Sequence, residues 1–90
     1  VYALTVKNEL PDNYKDAKVS CDSKFVAKGD TVVVTVTDVD TWTTPNNITV
    51  TGTAIDGAVT AALLNDSKGA TYTFKIGTLT ADATVTVEKA

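Results

Sequence analysis

The stretch Lys28-Gly29-Asp30-Thr31-Val32-Val33-Val34-Thr35-Val36-Thr37-Asp38 decides the fold. A turn opens it, an acidic residue closes it, and only Val and Thr lie between. Both are β-branched, and their stiff χ1 suits a pleated strand better than a helix. Strand geometry puts Val32, Val34 and Val36 on one face and Thr31, Val33, Thr35 and Thr37 on the other. The segment is uncharged, β-prone and free of Pro, which is the composition of an aggregation-prone strand. Lys28 and Asp30 before it, and Asp38 and Asp40 after it, read as charged gatekeepers. An internal strand paired on both edges is therefore expected, since an exposed edge of this composition would be a liability.

Working outward, residues 1–7 alternate, with Tyr2, Leu4 and Val6 on one face. Residues 8–16 carry Pro11, Asp12, Asn13 and Asp16 and read as a loop, with Tyr14 as its apolar anchor. Residues 17–22 form a second strand, and residues 25–27 a short strand or its continuation. Residues 38–46 are the longest polar loop. Residues 47–55 alternate again, with Ile48, Val50, Gly52 and Ala54 inward. Gly52 marks a bulge or a close backbone approach. Asp56-Gly57 predicts a type I′ hairpin returning through residues 58–64. Residues 61–64 could form a helical turn instead, but four residues are too few for a stable helix. Residues 65–69 are a turn. Residues 70–77 (Tyr72, Phe74 and Ile76 inward) and 82–88 (Ala83, Val85 and Val87 inward) complete the set. The pattern predicts an all-β immunoglobulin-like sandwich of about seven antiparallel strands.

Ninety residues make one domain, 1–90. The chain starts at Val1 and contains no Met, so it reads as a piece excised from a longer multidomain protein. Net charge is −3, with eight Lys and no Arg. Nucleic-acid binders gather Lys and Arg on one face, so nucleic acid is not an expected partner. No window of about 20 apolar residues exists, and no membrane insertion is expected. Cys21 is the sole cysteine. It shares a strand face with Ala17 and Val19 and reads as a small core residue.

Chemistry is constrained by inventory. Without a His there is no Ser-His or Cys-His nucleophile pair. Carboxylates are scattered over turns, and a small convex sandwich rarely offers a deep cleft. The chain is read as a non-enzyme with no cofactor. One loop could hold a ligand. Trp42, flanked by threonines, could stack on a sugar ring, with Thr44 and Asn47 beside it. Its competing role is to plug the open end of the core. Asp38, Asp40 and Asn46 could offer oxygens to calcium, although the spacing is not that of an EF-hand. Solvated gatekeepers are the favoured reading of these carboxylates. Asn47-Ile48-Thr49 and Asn65-Asp66-Ser67 match the N-glycosylation pattern, which arises readily by chance in a Thr-rich chain.

Three segments, Ala27 to Thr37 (AKGDTVVVTVT), Ala70 to Ile76 (ATYTFKI) and Thr80 to Val87 (TADATVTV), resemble the repeated Ig-like modules of bacterial cell-surface and S-layer-associated proteins. Those modules carry a comparable "GDTVTVTVT" strand, "YTF" strand and closing "ADxTVTV" strand. The similarity covers about the last two-thirds of the chain. The "GY" usual after the first of these strands is replaced by Asp38 to Pro45. The resemblance implies a non-catalytic spacer or adhesion module in an extracellular bacterial chain. It implies a place often beside glycoside hydrolase or SLH domains; the expected partners are neighbouring domains of the same chain, with polysaccharide or cell-wall glycan as a further candidate. It carries over no catalytic residues. The alternatives are a carbohydrate-binding module built on the Trp42 loop, and a phage or pilus structural Ig-like domain.

Overall fold

A computed structural model describes residues 1–11, 17–38, 48–64 and 68–90. Among these, every regular element is a strand: β1 (Tyr2–Glu9), β2 (Lys18–Cys21), β3 (Phe25–Val26), β4 (Thr31–Thr37), β5 (Ile48–Thr51), β6 (Ile55–Leu63), β7 (Ala70–Ile76) and β8 (Ala83–Lys89). They form two four-stranded sheets, ordered β3-β1-β8-β5 and β2-β4-β7-β6. The core cluster draws on both sheets, as in a sandwich.

The opening stretch behaves as its pattern dictates. β4 lies inside its sheet, antiparallel to β2 on one side and β7 on the other. Val32, Val34 and Val36 are fully buried. They meet Phe74, Tyr72 and Ala70 at the same register positions on β7. Val85 and Val87 of β8, also fully buried, belong to the same core cluster. Each such valine removes enough apolar surface from water to contribute about 1.5–3 kcal/mol. The alternations predicted for β5, β7 and β8 hold as well, with Ile48, Val50, Ala54, Phe74, Ile76 and Ala83 buried.

Several expectations change. The described residues hold eight strands rather than about seven, because Phe25–Val26 is a separate strand in the other sheet from β2, paired with Tyr2 and Ala3. They are not all antiparallel: β1 and β8 run parallel over Leu4–Glu9 and Ala83–Glu88. The Asp56-Gly57 hairpin is not formed. The chain turns earlier, at Gly52-Thr53-Ala54, where Ile55 N donates to Gly52 O at 3.4 Å. That turn passes from one sheet to the other, so β5 and β6 are not partners. Gly57 does take positive φ, +78°, but within β6, where the register against β7 shifts between Asp56 and Thr60. A β-bulge needs the same backbone freedom as a hairpin turn, which is why the signal was ambiguous. Residues 61–63 continue β6 as strand, not helix.

Gly52 is the close approach its position suggested. A Cβ there would sit 2.8 Å from the carbonyl oxygen of Thr84. The Tyr14 anchor and the turn at 65–67 lie outside the described residues. Cys21 is half-buried and packs against the core beside Ala17 and Val19.

Candidate functional site

The pairing registers define two ends of the sandwich. Thr37, Ala70, Leu63, Ile48 and Lys89 mark one end; Thr31, Ile76, Ile55, Thr51 and Ala83 mark the other. The loop expected to hold a ligand leaves the first end at Asp38. Asp40, Trp42, Thr44, Asn46 and Asn47 lie outside the described residues. Of the candidates only Asp38 is placed. It has positive φ, 59°, a conformation Asp tolerates because its short side chain bonds locally. Its carboxylate accepts from Thr37 Oγ1 at 3.4 Å and faces Lys18 Nζ at 3.8 Å. Both ion-pair partners are well exposed, and such pairs stabilise little. Asp38 therefore ends β4 as a local cap tied to β2. Among the described residues, no group of three or more His, Cys, Asp or Glu could hold a metal ion.

The opposite end carries a shallow open cleft of about 210 Å³, lined by the 53–54 turn and the 78–83 segment between β7 and β8. Thr53, Thr78, Thr80 and Asp82 give it hydroxyls and a carboxylate, and half-buried Leu79 adds an apolar wall. Asp82 is already engaged, since its Oδ1 accepts from Ala3 N at 3.1 Å. No side chain in this lining is paired with a base that could activate it as a nucleophile. The sequence offered residues 77–81 as a link and residues 82–88 as the last strand, and nothing in their residue types marked a cleft.

The turn carboxylates have structural partners throughout this end. Asp30 Oδ2 accepts from Ala27 N at 2.9 Å, while Asp30 N donates to Ala27 O at 3.1 Å. These two bonds close the Ala27–Asp30 turn around Gly29, whose φ is +90°. Asp22 Oδ1 accepts from Val33 N at 3.0 Å, supplying the ladder acceptor that β2 lacks beyond Cys21. Asp30 is thus a turn staple as well as a flanking charge. Burial raises the Cys21 thiol pKa above its ordinary value, and the neighbouring Asp22 charge acts in the same direction. A thiol held protonated is a poor nucleophile.

Comparison with protein-family models, with curated proteins and with solved structures finds no match for this chain.

Proposed function

We propose that this chain is a non-catalytic structural module, an Ig-like sandwich that works as a spacer in a longer extracellular bacterial protein. The parallel pairing of β1 with β8 carries this reading. Tyr2 enters beside Val26 at one end of the sandwich, and Lys89 leaves beside Ile48 at the other. Tension applied through the two termini would pull β1 and β8 in opposite directions along a shared six-residue register. All of its hydrogen bonds would then be loaded together, in shear. Ala3 N faces Asp82 while Leu4 N donates to Lys24 O. By strand alternation the backbone of Thr5 and Lys7 also faces β8. The structural employment of Asp22, Asp30 and Asp82 is consistent with a scaffold.

Force spectroscopy tests this. Handles at the two termini load β1 against β8 in shear. Handles at the N-terminus and Lys28, both at the same end, only unzip the two-residue β3 from β1. The terminal geometry should resist severalfold more force, and Thr5→Pro should weaken it. Equal or lower resistance in the terminal geometry would sink the spacer reading. A saturable change in Trp42 fluorescence on titration with a polysaccharide would replace it with carbohydrate binding.

A further inference from the structure

We infer that Asp56-Gly57 is a site of spontaneous covalent modification, at which the folded chain converts Asp56 into an isoaspartyl residue through a cyclic imide. The pair reads as a hairpin in the sequence, yet it lies near the start of β6, an edge strand of its sheet. Asp56 and Gly57 are both exposed, as is Ala58 after them. The register against β7 steps from Asp56↔Lys75 to Thr60↔Thr73. Gly57, Ala58 and Val59 therefore face only Phe74 and stand outside the regular ladder. Gly57 has φ +78°, and a Cβ built on it would meet nothing within 4 Å. The reacting groups thus have the free space and backbone slack that a regular strand would deny them. Nothing in the spacer reading uses this pair, and the site stands or falls apart from that reading.

The nucleophile is Gly57 N. Gly77 N donates to Ala54 O at 2.8 Å, while Ile76 N turns the other way, to Asp30 O at 2.9 Å. Lys75 between them therefore points its backbone groups at β6, where Asp56 is its register partner. Asp56 O faces β7. A trans peptide holds N–H opposite to C=O, so Gly57 N–H faces the open edge of the sheet and no β7 carbonyl holds it. Among the described residues, no hydrogen bond or ion pair holds the Asp56 carboxylate. The other described aspartates differ on both counts. Asp22, Asp30, Asp38 and Asp82 each accept a hydrogen bond. Each is also followed by a residue with a side chain, Ser23, Thr31, Val39 and Ala83, whose Cβ hinders attack by its own nitrogen. In the reaction Gly57 N attacks Cγ of the protonated Asp56 carboxyl. A C–N bond forms, and the carboxyl oxygen leaves as water, taking the amide proton. Water then reopens the imide ring. Cleavage between Gly57 N and Cγ restores aspartate. Cleavage between Gly57 N and the original Asp56 carbonyl carbon frees an α-carboxylate and runs the chain through Cβ and Cγ. Mass and charge are unchanged, no oxidant or reductant is needed, and the backbone gains one carbon. The register shift between Asp56 and Thr60 gives that carbon room.

The test is incubation of the folded 90-residue chain at neutral pH in water enriched in heavy oxygen. The protein is then returned to ordinary water, digested and read by peptide mass spectrometry. Each passage through the imide fixes one solvent oxygen in residue 56, whichever way the ring opens. Isoaspartate is counted separately with an isoaspartyl O-methyltransferase and labelled S-adenosylmethionine. Both signals should appear at position 56, in severalfold excess over positions 22, 30, 38 and 82. The rate should lie within severalfold of that in the urea-unfolded chain, where no strand restrains the pair. Gly57→Ala places a Cβ beside the nucleophile and should slow the reaction severalfold. Asp56→Glu is one carbon too long for the five-membered ring and should show neither signal at 56. No label at 56, label spread evenly over the described aspartates, or a Gly57→Ala rate equal to the wild type would each overturn the proposal. Strong suppression in the folded wild type relative to the urea-unfolded chain would do the same, and that comparison decides even if a variant fails to fold.

Discussion

Ala3 N donates to Asp82 Oδ1 at 3.1 Å, a bond that spans 79 residues of sequence. It lies just beyond Leu4↔Ala83, where the β1–β8 ladder begins, and extends that ladder by a side-chain rung. Asp82→Ala should cost about 1 kcal/mol, the usual net worth of such a bond. Asp82→Asn keeps an acceptor oxygen and should recover most of it. Urea midpoints of the three proteins at matched slope measure this.

Two glycines make opposite demands. A Cβ on Gly69 would collide with the carbonyl oxygen of Val36 and crowd Thr37 Cα, both backbone of β4. A Cβ on Gly57 meets nothing within 4 Å, but φ there is +78°. Gly57→Ala should cost only the left-handed strain, about 1 kcal/mol. Gly69→Ala forces two strands apart and should cost more, roughly 2–4 kcal/mol, in the range of overpacked cores and beyond. Thermal melting ranks the two, and a reversed order would contradict the packing described for Gly69.

Val34 sits at the centre of β4, fully buried between Cys21 and Tyr72 at its register positions. Val34→Asp puts a carboxylate where no water reaches, a cost of several kcal/mol against a domain whose total stability is of that order. The variant should lose its β-type circular dichroism and its dispersed amide spectrum. A folded Val34→Asp protein would refute the assignment of β4 as the core strand.

Burial pushes the Tyr72 phenol up to about 12, from an ordinary value of 10.0. Between those values the unfolded chain releases the proton and the folded chain keeps it. The folded state then binds more protons, so stability falls as pH rises through this window. The Tyr72 part is isolated as the difference from Tyr72→Phe. Urea midpoints from pH 9 to 12 should fall more steeply for the wild type than for Tyr72→Phe. Parallel slopes would show that Tyr72 ionises equally in both states.

The faces of the strands were legible in the sequence, and their partners were not. A period of two says which side chains are buried, and it placed Val32, Val34, Val36, Tyr72, Phe74, Ile76, Val85 and Val87 correctly. It does not say which strand lies alongside. The parallel neighbours β1 and β8 come from opposite ends of the chain, and no local signal links them. Asp56-Gly57 misled for a physical reason: positive φ at Gly57 serves a bulge, and the turn falls at Gly52-Thr53-Ala54, where Gly52 was legible as a bulge or a tight approach. Of the candidate ligand residues, Asp38 is a cap tied to Thr37 and Lys18. Asp82 gave no sign of its role, because an Asp before a strand looks the same whether it meets water or a backbone amide 79 residues away.

Among the described strands, six of the seven successive pairs lie in different sheets, and only β6 and β7 are neighbours within one. This ordering has a consequence during synthesis. β1 is made first and has only the two residues of β3 to pair with until β8 follows. At about 5–20 residues per second, residues 10–82 between them take on the order of 4–15 s to emerge. For that interval β1 has no β8 to pair with. The β1–β8 ladder can therefore close only after β8 has left the ribosome.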